Sequence, residues 1–133
     1  MPQGGIDPGE EPLTAAVREL REETSVSSVQ LLAEAPAWLR YDFPPEVRAR
    51  LSGYWARYKG QAQRWFLFKF TGEDSEIDLA TSPREFAEWR WMPLQQLPGA
   101  VVPFKAAVYK AVAADFGPAV EALKAAEAAK GQR

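Results

Sequence analysis

Between Gly4 and Val26 the chain reads GGIDPGEEPLTAAVRELREETSV, a turn-forming stretch that passes directly into helical spacing. Gln3, Gly4, Gly5, Asp7, Pro8 and Gly9 exclude strand or helix there. Glu11-Pro12 marks a helix start, because a first helical residue has no use for the N–H that proline lacks. Successive helical residues turn about 100°, so Glu19, Glu22 and Glu23 at i, i+3, i+4 project together. Leu13, Ala16, Val17 and Leu20 repeat at i, i+3, i+4, i+7 on a neighbouring apolar stripe. The expectation is a helix seated by that stripe against a core, with its acidic row open to solvent.

Three carboxylates on one patch repel one another, and a hard divalent cation relieves the repulsion; Mg²⁺ accepts a few carboxylates and keeps several waters. The patch is a candidate magnesium site. The plainer alternative is a solvated helix face on which Arg18 and Glu22 pair at i, i+4 for a few tenths of a kcal/mol.

The rest of the composition narrows the chemistry. The 133 residues make one domain of ordinary size, with 47% apolar residues, seven Phe, five Trp and four Tyr to fill a core. With no cysteine and no histidine, a disulfide scaffold, the usual zinc sites, a Ser-His-Asp triad and a Cys-His pair are all excluded. Proton transfer falls to carboxylates, lysines, tyrosines or metal-bound water. No apolar run reaches membrane-spanning length and no secretory signal pattern opens the chain, so a cytoplasmic enzyme without a membrane partner is expected. Net charge is −2, yet Arg40, Arg48, Arg50, Arg57, Lys59, Arg64 and Lys69 face only Asp42 and Glu46 between residues 40 and 69.

Further along, residues 29–35 and 37–43 read as strands, and 46–52 as a brief helix. GYWARYKGQAQRW interleaves aromatic and basic residues. That mix suits base stacking and phosphate neutralisation, or equally a core packed by Trp and Tyr with snorkelling Arg and Lys. Residues 65–70 (WFLFKF) form the strongest strand, apolar enough to sit centrally in a sheet. Residues 76–79 read as a short strand or edge, and EWRWMP at 88–93 as a half-buried strand. Helical spacing returns from Phe104 to Phe116, with Val108, Val112 and Phe116 four apart, and stops at Gly117-Pro118. The alanine-rich residues 119–130 are helical by propensity.

The opening stretch resembles the Nudix box, G-x5-E-x7-R-E-U-x-E-E-x-G-U with U a bulky aliphatic residue. It is matched by Gly4, Glu10, Arg18, Glu19, Leu20, Glu22, Glu23 and Val26, with Ser25 in place of the last glycine. Serine at a helix end that glycine usually closes in a left-handed conformation costs stability rather than chemistry. Together with PQGGIDPGE, YDFPPE, KGQAQRWFLFKFTG, EIDL, REFAEWRWMPLQQLP and VVPFKAAVYKAV, the chain is similar to the bacterial RNA 5'-pyrophosphohydrolase and dinucleoside polyphosphate hydrolase group over residues 2–116.

The resemblance implies an α/β (α+β) fold, a Nudix-type α/β/α sandwich with a mixed sheet. It implies one domain over 1–133, with a core at 1–116 and a helix or tail at 117–133. The activity implied is hydrolysis of phosphoanhydrides with Mg²⁺ or Mn²⁺, either on 5'-triphosphorylated RNA or on dinucleoside polyphosphates, with no part for DNA. Glu19, Glu22 and Glu23 would hold metal, with a carbonyl near Gly4 and Gly5. Glu85 would be a fourth carboxylate that binds metal or takes a proton, unless it is a solvated loop residue. Arg18 would orient the glutamates, Glu10 would be structural, and Phe104 and Lys105 would contact a base and a phosphate. Phe104 as a core residue at a helix start is the alternative. Members of the group carry one or two strands before PQGG, so the expectation is that this chain lacks them, leaving an exposed sheet edge that invites self-association. Two other readings stand beside the hydrolase: a catalytically weak nucleotide- or RNA-binding module, and a Nudix enzyme for nucleoside triphosphates or nucleotide sugars.

Overall fold

The computed structural model describes residues 1–81 and 83–131, without the side chains of Tyr54 and Trp55. In chain order the elements are α1 (Pro12–Thr24), β1 (Val29–Glu34), β2 (Leu39–Asp42), the single turn α2 (Pro45–Arg48), β3 (Gly60–Gln63), β4 (Phe66–Phe70), the short α3 (Leu97–Ala100) and the long α4 (Ala106–Gly131). Tight 3-10 turns lie at Gly53–Arg57, Asp74–Glu76, Leu94–Gln96 and Pro103–Lys105. The class is α/β, and among the described residues the strands form two two-stranded sheets, β1 with β4 and β2 with β3. The chain divides into two compact units, one of residues 1–33 and 66–91, the other of 34–65 and 92–131.

In the first unit, α1 begins at Pro12 and ends at Ser25, whose φ of 66° turns the chain left-handed while its N–H bonds the Arg21 carbonyl at 2.8 Å. The seating of α1 differs from the periodic expectation. Val17 is 37% exposed, whereas Ala15, Glu23 and Thr24 are buried, so the helix is rolled toward its acidic side. Thr24 tolerates burial because its hydroxyl bonds the Leu20 carbonyl at 2.6 Å. Beyond the helix, the Thr71 N–H meets the Ser28 carbonyl at 2.8 Å, at one end of the β1–β4 pair.

Three strand expectations change in this unit. β4 is half-buried at all five positions, and among the described residues it pairs with β1 alone, so it is not a central strand. Residues 76–79 are not a strand: Glu76 ends a 3-10 turn and its carboxylate accepts the N–H groups of Ser27 and Ser28 at 2.9 and 3.0 Å and the Ser28 hydroxyl at 2.6 Å. Side-chain capture of the backbone displaces ladder pairing there. Residues 88–93 also lie outside any strand. Trp91 stacks on Phe70 with centroids 5.8 Å apart and donates its indole N–H to Asp74 at 3.1 Å, so ring packing rather than strand pairing holds this segment.

In the second unit β2 and β3 run antiparallel in the register Leu39↔Gln63, Arg40↔Ala62, Tyr41↔Gln61 and Asp42↔Gly60. Gly60 is required there, because a Cβ would collide with the Tyr41 carbonyl. Val108, Tyr109, Val112 and Phe116 form the buried stripe of α4. Trp65 meets Tyr109 edge-on, with centroids 5.3 Å apart. Gly117-Pro118 does not stop the helix as its residue types suggest; α4 continues through Pro118 to Gly131. Proline in a helix interior costs roughly 3 kcal/mol. The segment after it, AVEALKAAEAAK, is rich in the best helix formers, and its helical residues offset that cost piecemeal.

Candidate active site

Arg18 organises the first unit's charged cluster. Its Nε donates to Glu10 Oε2 at 2.8 Å and its Nη2 to Glu10 Oε1 at 2.9 Å. Nη2 also reaches the Gly5 carbonyl at 2.8 Å, while Nη1 donates to Glu19 at 2.8 Å and Glu22 at 3.2 Å. The planar fork thus ties the glycine loop to α1 across thirteen residues of sequence separation, a task for which guanidinium is better shaped than ammonium. Asp7 adds a looser ion pair at 3.7 Å from the rim, and its N–H bonds Glu10 at 3.0 Å. The hydrogen bonds from Arg18 and from the Asp7 N–H bring the Glu10 carboxyl from its usual 4.5 down to about 2, and the carboxylates raise the arginine in turn.

Gly4 stands against the Glu19 carboxylate so closely that any Cβ would overlap it, which explains why this loop position carries no side chain. The Gly5 carbonyl is engaged by Arg18. Glu19 and Glu22 both lean on Arg18, but Glu19 is largely covered, while the Glu22 side chain is 51% exposed. Glu23 faces the interior at 7% exposure, and its carboxylate accepts the Gln3 N–H at 3.0 Å. That burial corrects the expectation of a fully solvated acidic row. It also pushes the Glu23 carboxyl up; the Gln3 N–H opposes the shift and the negative charges of Glu19 and Glu85 add to it. Glu85 is exposed, yet its charge is felt at Glu23.

Taken singly, the groups suit a hard cation: Glu19, Glu22, Glu23 and Glu85 offer carboxylate oxygens, and Glu23 carries a repulsion from Glu19 and Glu85 that positive charge would relieve. Among the described residues no three carboxylates converge as a metal cage. Glu19 and Glu22 here are paired with Arg18.

Phe104 and Lys105 lie in the second unit, in the 3-10 turn that leads into α4. They gather on Tyr41, a residue that sequence patterning assigns to a strand and to no site. The Phe104 ring is 5.6 Å from the Tyr41 ring, and the Lys105 ammonium lies over Tyr41 at 5.6 Å and Phe104 at 5.9 Å. Phe43 meets Tyr41 edge-on at 5.8 Å. The available signal was the strand alternation that puts Tyr41 and Phe43 on one face. In the basic stretch, Arg64 is paired with Glu34 and lies over the Trp38 ring at 5.5 Å. Trp65 packs on Tyr109, so part of that aromatic-basic segment serves the core.

A family model described as the NUDIX domain matches residues 1–112. The chain is 54% identical over 120 residues to the RNA pyrophosphohydrolase of Agrobacterium fabrum, covering 87% of this chain and 69% of that protein. It is 50% identical over 125 residues to the RNA pyrophosphohydrolase of Bradyrhizobium diazoefficiens, covering 91% and 74%. To Nudix hydrolase 26, chloroplastic, of Arabidopsis thaliana it is 54% identical over 120 residues, a match spanning 87% of this chain and only 56% of the plant protein.

Proposed function

This chain belongs to the Nudix family, and from that premise we propose that it removes pyrophosphate from the 5'-triphosphate end of RNA, with dinucleoside polyphosphates as a second substrate class. The observation that carries the reading is α1, which sets Glu19 and Glu22 on an arginine clamp tied to the glycine loop, with Glu23 on the same helix against the Gln3 N–H. The names of the bacterial relatives support RNA as the substrate.

Family members generally use a divalent cation, and Mg²⁺ or Mn²⁺ is proposed for this chain. When bound, such an ion neutralises phosphate charge and makes a coordinated water acidic. Glu19, Glu22, Glu23 and Glu85 would hold it. Arg18 fixes the orientation of Glu19 and Glu22, so that their release toward a ligand is a short side-chain movement rather than a folding event. Glu85 or Glu22, exposed on this cluster, accepts the proton of the attacking water. Gly4 lets the glycine loop lie directly against the Glu19 carboxylate, a contact that any side chain there would block. In the second unit, Phe104 offers a face for a base and Lys105 a charge for phosphate.

We place this activity in the cytoplasm, with RNA rather than DNA or a membrane as partner. Among the described residues no helix is long and apolar enough to cross a membrane. Self-association through the open edge of β4 belongs to the same proposal, since Trp89 and Trp91 stand exposed near it.

The test is product analysis of a 5'-triphosphorylated RNA oligonucleotide and of diadenosine tetraphosphate with Mg²⁺, with Mn²⁺ and with EDTA. Metal-dependent conversion of the RNA to its monophosphate with release of pyrophosphate is expected. Binding without release under both metals would replace the hydrolase by a binding module.

A further inference from the structure

Across the β2–β3 pair runs a line of four polar side chains that none of the site residues accounts for. Tyr41 and Gln61 are direct register partners, and Gln61 and Gln63 share one face of β3. The Tyr41 hydroxyl lies 2.6 Å from Gln61 Oε1, Gln63 Nε2 lies 3.4 Å from the same oxygen, and Trp65 Nε1 lies 3.1 Å from Gln63 Oε1. The two amides could in principle point either way. The indole removes the freedom, because its N–H donates and has no lone pair to accept with.

The polarity then propagates along the line. Gln63 must turn its carbonyl to Trp65, which leaves its NH₂ facing Gln61. Gln61 must therefore present its carbonyl, since two amide NH₂ groups cannot bond each other. The Tyr41 hydroxyl, facing a carbonyl, has to donate. Trp65 is itself held by its edge-on packing against the buried Tyr109, so the origin of the sequence does not drift. Burial also keeps the Tyr41 phenol protonated, in keeping with a donor role.

We propose that Gln61 is a positioning residue for substrate binding: with its polarity set by Trp65 through Gln63, it locks the Tyr41 hydroxyl as a donor and thereby holds the ring on which Phe104 and Lys105 are mounted. The tie matters because Tyr41 is the shared support, with Phe104 and Lys105 both resting on its ring. A tyrosine free to tilt would let both side chains lose their common orientation, and a pre-set base-and-phosphate contact would become an ensemble. The consequence for an RNA substrate rests on the pyrophosphohydrolase reading; the polarity of the line does not.

The experiment has two arms. In the first, Gln61→Leu and Trp65→Phe are compared with the unmodified protein by pyrophosphate release from a short 5'-triphosphorylated RNA. KM is expected to rise several-fold for Gln61→Leu, and less for Trp65→Phe, with kcat within about twofold of the parent. Tyr41→Phe combined with Gln61→Leu is expected to cost no more than Gln61→Leu alone, because both remove one bond. Additive effects, or a loss confined to kcat, would overturn the positioning role. In the second arm, the tyrosine doublet of the ultraviolet resonance Raman spectrum, taken as the difference between the protein and its Tyr41→Phe variant, reads whether this hydroxyl donates or accepts. A donor signature that is lost in Gln61→Leu is expected, and an acceptor signature overturns the proposal. Absence of pyrophosphate release from the unmodified protein would sink the functional reading while leaving the Raman result to decide the polarity.

Discussion

Arg18 grips Glu10 with two parallel hydrogen bonds of 2.8 and 2.9 Å, binding the glycine loop to α1 across eight residues of sequence. Every remaining guanidinium proton is directed to Gly5, Glu19 or Glu22. Replacing Arg18 by lysine keeps the charge but supplies a point donor where a five-proton fork is in use. Arg18→Lys is expected to lower turnover by about 10- to 100-fold, the range typical of residues that orient metal ligands. Loss should be similar at saturating metal. Steady-state rates over a Mg²⁺ series check it, and wild-type turnover in the variant would remove Arg18 from the orienting role.

The same pair sets an acid limit. The Glu10 carboxyl lies at about 2 in the folded protein against a usual 4.5, so its contribution to stability is complete above the unfolded value and is lost as pH falls through the folded one. The window is therefore about pH 4.5 down to 2. Urea midpoints measured across it should fall for the parent and fall less steeply for Glu10→Gln, which cannot titrate. Parallel curves for the two would show that the pair does not carry the linkage.

Glu22 and Glu23 are neighbours on the helix but are expected to answer differently to neutralisation. Burial raises the Glu23 carboxyl, so its charge opposes folding at neutral pH and the opposition eases as pH falls. Glu23→Gln keeps an oxygen for the Gln3 N–H and removes the charge, so the metal-free protein should melt higher. Glu22 is half-exposed and bonded to Arg18, so Glu22→Gln should melt at the same temperature or slightly lower. Both are expected to lose hydrolysis by about 100-fold or more if they hold the cation. Calorimetry without metal and activity with it separate the two effects, and an equal rise in melting for both variants would contradict the structural distinction.

The opening helix was legible because Pro12 and a 3.6-residue period are both local signals. Which side of that helix is seated was not: Ala15 and Glu23 go inward and Val17 outward because neighbouring segments decide the roll, and a period alone cannot name the neighbour. Residues 76–79 and 88–93 alternate as strands do, but Glu76 captures the Ser27 and Ser28 amides and Trp91 seats itself on Phe70. Pro118 has the look of a helix end because its local cost is certain, whereas the alanines and other helix formers after it contribute only in sum. Of the candidate site, helical spacing groups the α1 carboxylates, whereas the orienting role of Arg18 is what the resemblance implies. The mounting of Phe104 and Lys105 on Tyr41 joins residues more than sixty positions apart and leaves no periodic trace.

Ser25 stands where the box has glycine, and at φ 66° it occupies a backbone region that disfavours side chains by about 1–2 kcal/mol. The expected penalty has a local answer. The Ser25 hydroxyl donates to the Asp78 carbonyl at 2.9 Å, beside the bond from the Asp78 N–H to the Thr24 carbonyl at 2.9 Å, so the end of α1 is fastened to residue 78 by two links. A hydrogen bond of this kind contributes about 0.5–1.5 kcal/mol. The two terms nearly cancel. Ser25→Gly, which relieves the backbone but loses the hydroxyl, should therefore change stability by less than about 1 kcal/mol, whereas Ser25→Ala keeps the strain, loses the bond and should cost about 1 kcal/mol. Urea unfolding of the three proteins orders them, with alanine the weakest. Alanine at parity with serine would mean that the hydroxyl link contributes nothing, and a glycine variant more stable by about 2 kcal/mol would mean that the strain is uncompensated.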